Sequence, residues 1–347
     1  MGANRGVRAA GLLWTGGGLV LLAAAMVLGA GAGAASITST DIVHELLARL
    51  GVAGVDPPLS ERQRAVLLQL RLPRVVLGAV VGGLLAVAGA SYQGVFRNPL
   101  ADPYLLGAAG GAGLGATLLI VYGGGLASPL PLVPMAAFAG ALAGVMGAYL
   151  LGRTAGGGGT ASLLLAGVAV SSFLAAVQTL VQQAEIDDLQ RVYSWLLGGL
   201  GRGGWEDLRL VAPYAVVSTL VLLVCAYLLD LLALGDDKAV SLGLNPAAVR
   251  LVVISAASLA TAAAVAVSGL IGFVGIVVPH VVRRLVGPAY RRILPVSLLF
   301  GGAFLVAVDI LARTLVAPAE LPIGVVTAFI GAPFFVLVLR ATRGRVA

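Results

Sequence analysis

"RLPRVVLGAVVGGLLAVAGASYQGVFRNPLADPYLLG" (residues 71–107) sets an apolar run of membrane length between two unlike ends. Arg71 and Arg74 open it, and the proline-broken turn Asn98-Pro99-Leu100-Ala101-Asp102-Pro103 closes it. A helix crossing the hydrocarbon core needs about 20 mostly apolar residues, and residues 75–95 supply such a run without a charge. The rest of the chain is written the same way. Of its 347 residues, 59% are hydrophobic and only 11% charged, with a mean hydropathy of +1.03, whereas soluble domains are roughly half apolar and a quarter charged. Continuous apolar runs exclude a transmembrane β-barrel, whose segments alternate. The 49 glycines suit close helix packing in lipid. The fold class is an all-α polytopic membrane protein, one transmembrane domain over 1–347.

Ten apolar runs stand out: 12–35, 75–95, 104–123, 131–152, 161–181, 210–232, 250–269, 270–286, 293–315 and 322–340. The first looks like a signal peptide but is too long for an h-region, and reads as a retained helix. Residues 251–282 hold no charged side chain and are flanked by segments that both read as cytoplasmic. Two crossings must fit there, with a turn near Ser268-Gly269 or Gly272, since glycine tolerates strained backbone.

Ten crossings put both termini on one side. With that side inside, thirteen basic residues (among them Arg97, Arg153, Lys238, Arg250, Arg283 and Arg284) face four acids, Asp102, Asp230, Asp236 and Asp237. The outer side holds nine basic and ten acidic residues. The positive face is the cytoplasmic one, so the N- and C-termini are expected there. The net charge of +7 is explained by loop placement, and no nucleic acid is expected as a partner.

Residues 36–70 form an outer loop containing "TSTDIVHELLARLGV" (38–52), whose apolar spacing predicts a short helix. Outer residues 182–209 combine an amphipathic piece with glycines. They can line or gate a pathway, or lie as an interfacial helix anchored by Tyr193, Trp195 and Trp205. The cytoplasmic loop 235–249 carries a short helix with apolar Ala239, Val240 and Leu242, then a Leu242-Gly243-Leu244-Asn245-Pro246 turn. It can dock in a partner's groove or stay solvated.

Catalytic and cofactor motifs are missing: the sequence has no P-loop, HExxH, CxxC or nucleophile elbow, and no cofactor is expected. Two histidines, His44 and His280, cannot build a clustered metal site, and the single Cys225 sits in an apolar run as a packing residue. Coupled carriers hold ionisable groups inside their spans. The one candidate, Asp309, stands four residues before Arg313 and reads as an i,i+4 ion pair. A ten-span protein so equipped takes its energy from another subunit. A proton- or sodium-coupled carrier would need Asp309, and an intramembrane enzyme would need a catalytic constellation that the sequence lacks.

The opening stretch, continued through "GAAGGAGLGA", resembles the signature region of FecCD-type permeases, the transmembrane subunits of type II ABC importers for ferric siderophores, haem and cobalamin. So do "SLGLNPAAVR" (241–250), "GLIGFVGIVVPHVVRRLVGPAYRRILP" (269–295) and "DILARTLVAPAELPIGVVTAFIGAPFFVLVLR" (309–340). The resemblance implies ten helices, a second permease subunit (a copy or a paralogue) enclosing a central path, two ATPase subunits on the cytoplasmic side and an extracytoplasmic substrate-binding protein. It implies that Arg71, Arg74 and Arg313 meet acidic residues of the binding protein. It also implies that the loop around 235–249 contacts the ATPase, through Asp237, Ala239, Val240, Leu242, Gly243 and Asn245. Cargo would be an iron chelate, ferric siderophore favoured, with haem or cobalamin as alternatives, and the chain itself would not be an enzyme.

Overall fold

The structure, a computed structural model, describes residues 2–33, 37–49, 51–52, 57–123, 130–156, 160–201 and 204–343. Among them the regular structure is helical throughout. In chain order the helices are α1 (Gly2–Gly31), α2 (Ser39–Arg49), α3 (Glu61–Ala65), α4 (Leu72–Phe96), α5 (Ala108–Tyr122), α6 (Leu132–Gly156), α7 (Thr160–Ala184), α8 (Leu189–Leu196), α9 (Trp205–Val224), α10 (Ala226–Leu232), α11 (Asp236–Ser241), α12 (Pro246–Ser268), α13 (Val274–Val286), α14 (Tyr290–Thr314) and α15 (Ile323–Arg343).

The decisive stretch forms the centre of the molecule. α4 packs against α9, α12, α13 and α14. Its approach to α14 depends on Gly82 and Gly301: a Cβ on either would overlap the other's backbone, so the two helices touch main chain to main chain. In their most apolar windows, 83% of the α4 residues and 78% of those of α12 are buried, against 17% in α7 and 22% in α1 and α9. The bundle therefore has an inner pair of helices and an apolar outer ring whose exposed faces suit lipid.

α4 begins earlier than its apolar run suggests. Ser60 and Gln63 form a capping box, and helix continues from Glu61 to Phe96 over 36 residues. The last part of the expected outer loop 36–70 is thus helical, while α2 occupies the place predicted for the short outer helix. Between α3 and α4 lies a π-helical turn, Val66–Arg71, and Pro73 accounts for it. Proline has no N–H, and its ring clashes with the carbonyl four residues back. The wider turn lets Leu72 donate to the Leu67 carbonyl, but position 73 has nothing to give Leu68. The Trp205 indole Nε1 donates to that carbonyl instead, at 2.8 Å.

Each of the ten apolar runs corresponds to helix, but among the described residues seven helices are long and apolar enough to cross a membrane. α5, with 15 residues, and the apolar part of α15, Ile323–Val338, are shorter, and two further runs need correction. Run 210–232 is broken at Cys225 into α9 and α10, and the thiol is buried. Run 270–286 is not one full span. α13 has 13 residues, about 20 Å of helix against a core of about 30 Å. The chain does turn after Ser268, with Gly269 at φ +67° and Phe273 at φ +67°. This irregular stretch is sheltered by protein, as backbone at membrane depth must be. Tyr104 Oη donates to the Ile271 carbonyl and accepts from the Ile271 N–H, both at 3.0 Å, and Gly199 N donates to the Ser268 carbonyl at 2.8 Å.

"NPLADP" folds as the structural turn expected of it. Arg97 adopts left-handed backbone (φ +48°) to end α4, and Asn98 Oδ1 accepts from Leu100 N at 2.9 Å. Asp102 accepts from Tyr104 N at 2.8 Å, opening a 3₁₀ turn, Pro103–Leu106, ahead of α5.

Candidate functional site

Polar chemistry gathers at the two ends of α4. At its start the three arginines expected to meet a partner are brought together, and all are engaged within the chain. Arg74 donates from Nε and Nη2 to Asp309 Oδ1, at 3.0 and 2.8 Å, and from Nη1 and Nη2 to the two Glu320 oxygens, at 3.0 and 2.9 Å. Arg313 Nε lies 3.0 Å from Asp309 Oδ2, the ion pair its spacing predicted. Arg313 also donates to the carbonyls of Gly29 and Ala32, at 3.0 and 2.9 Å. Arg71 donates to those of Ala30 and Gly31, at 3.1 and 3.0 Å.

The last carbonyls of α1 have no intrahelical donor and carry the negative end of its dipole. Two guanidinium groups satisfy them, which explains why such charges can be buried. Arg71, Arg313 and Asp309 are all buried or nearly so, whereas Glu320 is half exposed. The Arg74 hydrogen bonds hold the Glu320 carboxyl below the usual carboxylate range, with burial acting against them. Three guanidinium groups against two carboxylates leave this end positive. A cavity of about 720 Å³ opens on it, lined by Arg71, Arg74, Arg313 and Glu320 with Gln69 and Gly201. Sequence reasoning found the arginines but missed Glu320 and the α1 carbonyls, which are partners remote in sequence.

Beside this cavity, residues 182–209 resolve into α8 and a glycine turn. Trp195 is buried in the protein core, which removes it from the set of interfacial anchors, while Tyr193 and Trp205 stay partly exposed. Gly198 and Leu197 carbonyls accept from Ile323 N and Gly324 N, at 3.1 and 3.0 Å, tying the turn to the start of α15.

At the other end of α4, Arg97 reaches the Leu232 carbonyl at 2.8 Å and also pairs with Asp236. Arg250 closes the same carboxylate from α12, at 2.7 and 2.9 Å. α11 therefore starts from a residue clamped between two arginines, and Asn245 Oδ1 caps α12 through Ala248 N at 3.1 Å. On α11 and its turn, Asp237, Val240, Leu242, Gly243 and Asn245 are exposed. Ala239 is not: it is fully buried against the chain's own body, a correction to its place on the docking face. Nearby, Arg283 donates to Gln93 Oε1 at 3.1 Å and Tyr290 Oη at 3.3 Å, and Asp230 pairs with Arg291 at 2.8 Å. His280 stands edge-on to Phe334, and no group of three metal-ligating side chains occurs among the described residues.

The sequence profile of the FecCD transport family matches residues 21–341. The hemin transport system permease protein HmuU of Yersinia pestis is 44% identical over 80% of this chain and 84% of its own length. The cobalamin import system permease protein BtuC of Halobacterium salinarum is 43% identical over 81% and 75%. A solved inward-facing structure of a putative metal-chelate type ABC transporter superposes with a TM-score of 0.81 at 32% identity, covering 94% of this chain and 98% of that one. A profile spanning nearly the whole chain, joined to the helix order and packing above, places it: the chain belongs to the FecCD transport family, the multi-pass cytoplasmic-membrane permeases of ABC importers.

Proposed function

We propose that this permease moves an iron chelate, with ferric siderophore as first choice, inward across the cytoplasmic membrane in a complex with a second permease, two ATPase subunits and an extracytoplasmic binding protein. Haem and cobalamin, the cargoes named for two relatives, are the alternatives within the same mechanism. The observation that carries the energetics is α11. It presents apolar Val240, with Leu242 just past its end, each more than half exposed, and its first residue is clamped by Arg97 and Arg250. A rigid, exposed apolar helix at the arginine-rich end suits docking in an ATPase groove.

Orientation follows from charge: the Arg97–Arg250 end is cytoplasmic, and both termini share that side. The Arg74 end is then external. Acidic side chains of a binding protein would compete with Glu320 for Arg74 and use the excess positive charge of Arg71 and Arg313, giving salt-sensitive docking. A carrier driven by protons is disfavoured because Asp309 is held by two arginines.

The test is reconstitution in liposomes. The chain alone should hydrolyse no ATP, and with its ATPase and a binding protein loaded with ferric siderophore it should support ATP-dependent uptake that Val240→Glu with Leu242→Glu abolishes. Hydrolysis by the chain alone, or uptake driven by a proton gradient without ATP, would reject the reading. Uptake of hemin or cobalamin in preference to the siderophore would reassign the cargo.

A further inference from the structure

Between the two polar clusters, α1, α13 and α14 enclose a groove of about 370 Å³ on the bundle surface. Its walls are apolar throughout and include Leu21, Leu28, Val277, Val281, Phe300 and Phe304. Two arginines mark one end. Arg284 follows Val277 and Val281 at positions i+7 and i+3, which places it on the same face of α13. Arg292 shares a face of α14 with Ala303, another wall residue. Its guanidinium lies on Gly287, which closes α13 one turn after Arg284: a Cβ there would sit 3.3 Å from Nη2. Its Cδ lies against α1, 3.3 Å from where a Cβ of Gly11 would be.

Among the described residues, Arg284 and Arg292 have neither ion pair nor hydrogen bond. Their neighbours differ: Arg283 is taken by Gln93 and Tyr290, and Arg291 by Asp230. Arginines near helix ends reach to the membrane interface, where lipid headgroups lie, and guanidinium forks match phosphate oxygens.

We propose that this groove binds an anionic phospholipid, its phosphate on Arg284 and Arg292 and its acyl chains against α1, α13 and α14. The juxtaposition decides the ligand class. Free phosphate would gain nothing from the apolar walls, and a zwitterionic lipid would leave the two arginines without net countercharge. Basic pockets between membrane helices serve this purpose on general grounds.

The test is native mass spectrometry of the full chain in detergent, titrated separately with phosphatidylglycerol, phosphatidylcholine and glycerol phosphate. Phosphatidylglycerol should bind more tightly than the other two. Arg284→Gln and Arg292→Gln should each weaken it about five-fold, the equivalent of ~1 kcal/mol for one basic residue facing an anionic lipid. Ala24→Phe, which fills the groove from α1, should weaken it with both arginines intact. Thermal unfolding of each variant should match the parent, and one that does not is replaced by Arg284→Met, Arg292→Met or Ala24→Leu at the same position. Equal binding of phosphatidylcholine, equal binding of glycerol phosphate, or unchanged affinity in all folded variants would overturn the proposal.

Discussion

Arg74 shows how little a charge's partner can be read from its neighbours. The pair Asp309–Arg313 was legible, because residues four apart meet on a helix. The bonds from Arg74 to Asp309 cross 235 positions, and no local pattern announces them. Asp309 is 1% exposed and serves two guanidinium groups, so its removal leaves buried positive charge uncompensated. Asp309→Asn should therefore lower stability by about 3 kcal/mol, the low end for a broken buried pair because Glu320 still answers Arg74. Glu320→Gln, at a half-exposed site, should cost at most about 1 kcal/mol. Thermal unfolding in detergent measures both. Transport should fall in proportion to folded protein in Asp309→Asn. Full stability with transport abolished would instead mark Asp309 as a coupling group.

Among the elements, breaks marked by glycine and proline were legible and others were not. The turn after Ser268 follows from an uncharged stretch too long for one helix, and Gly269 supplies the backbone it needs. The break at Cys225 has no such marker, while Pro213 sits inside α9 without ending it. The π turn before α4 is explained by Pro73 only once Trp205 is seen on the Leu68 carbonyl. α11 was predicted from its composition, but its anchorage was not, since Arg97, Asp236 and Arg250 come from three separate stretches. That anchorage predicts a pH response. Burial raises the Asp236 carboxyl, but hydrogen bonds from Arg250 and Arg97 outweigh it and hold it below 3.8. A carboxylate so depressed contributes above the unfolded value and is lost as pH falls through the lowered one. A spin label at Val240→Cys should be restrained at pH 7 and become mobile only once pH falls below the 3.8 of an ordinary aspartate, where the depressed carboxyl takes up its proton. Asp236→Asn should make it mobile at both. Identical spectra for parent and variant at pH 7 would show that the clamp does not hold α11.

At the scale of the whole molecule, orientation is the property on which both partner surfaces depend. Charge placement was legible in sequence because loops between apolar runs must lie outside the membrane, and their arginines are unevenly shared. Burial was less legible: α4 and α7 read as similarly apolar, with mean hydropathies of 2.0 in both, yet one is the centre and the other the rim. Only packing, through contacts such as Gly82 with Gly301, separates them. The molecule offers a direct measurement of sidedness, because its single native cysteine is buried and gives little background. Gln69 lines the cavity at the Arg74 end, and Val240 is exposed on α11 at the Arg97 end. A membrane-impermeant maleimide should label Gln69→Cys in intact cells and leave Val240→Cys unreacted. In inverted vesicles the pattern should reverse. Labelling of Val240→Cys from outside would invert the orientation, placing the arginine-rich cavity toward the ATPase side and removing both proposed docking surfaces together.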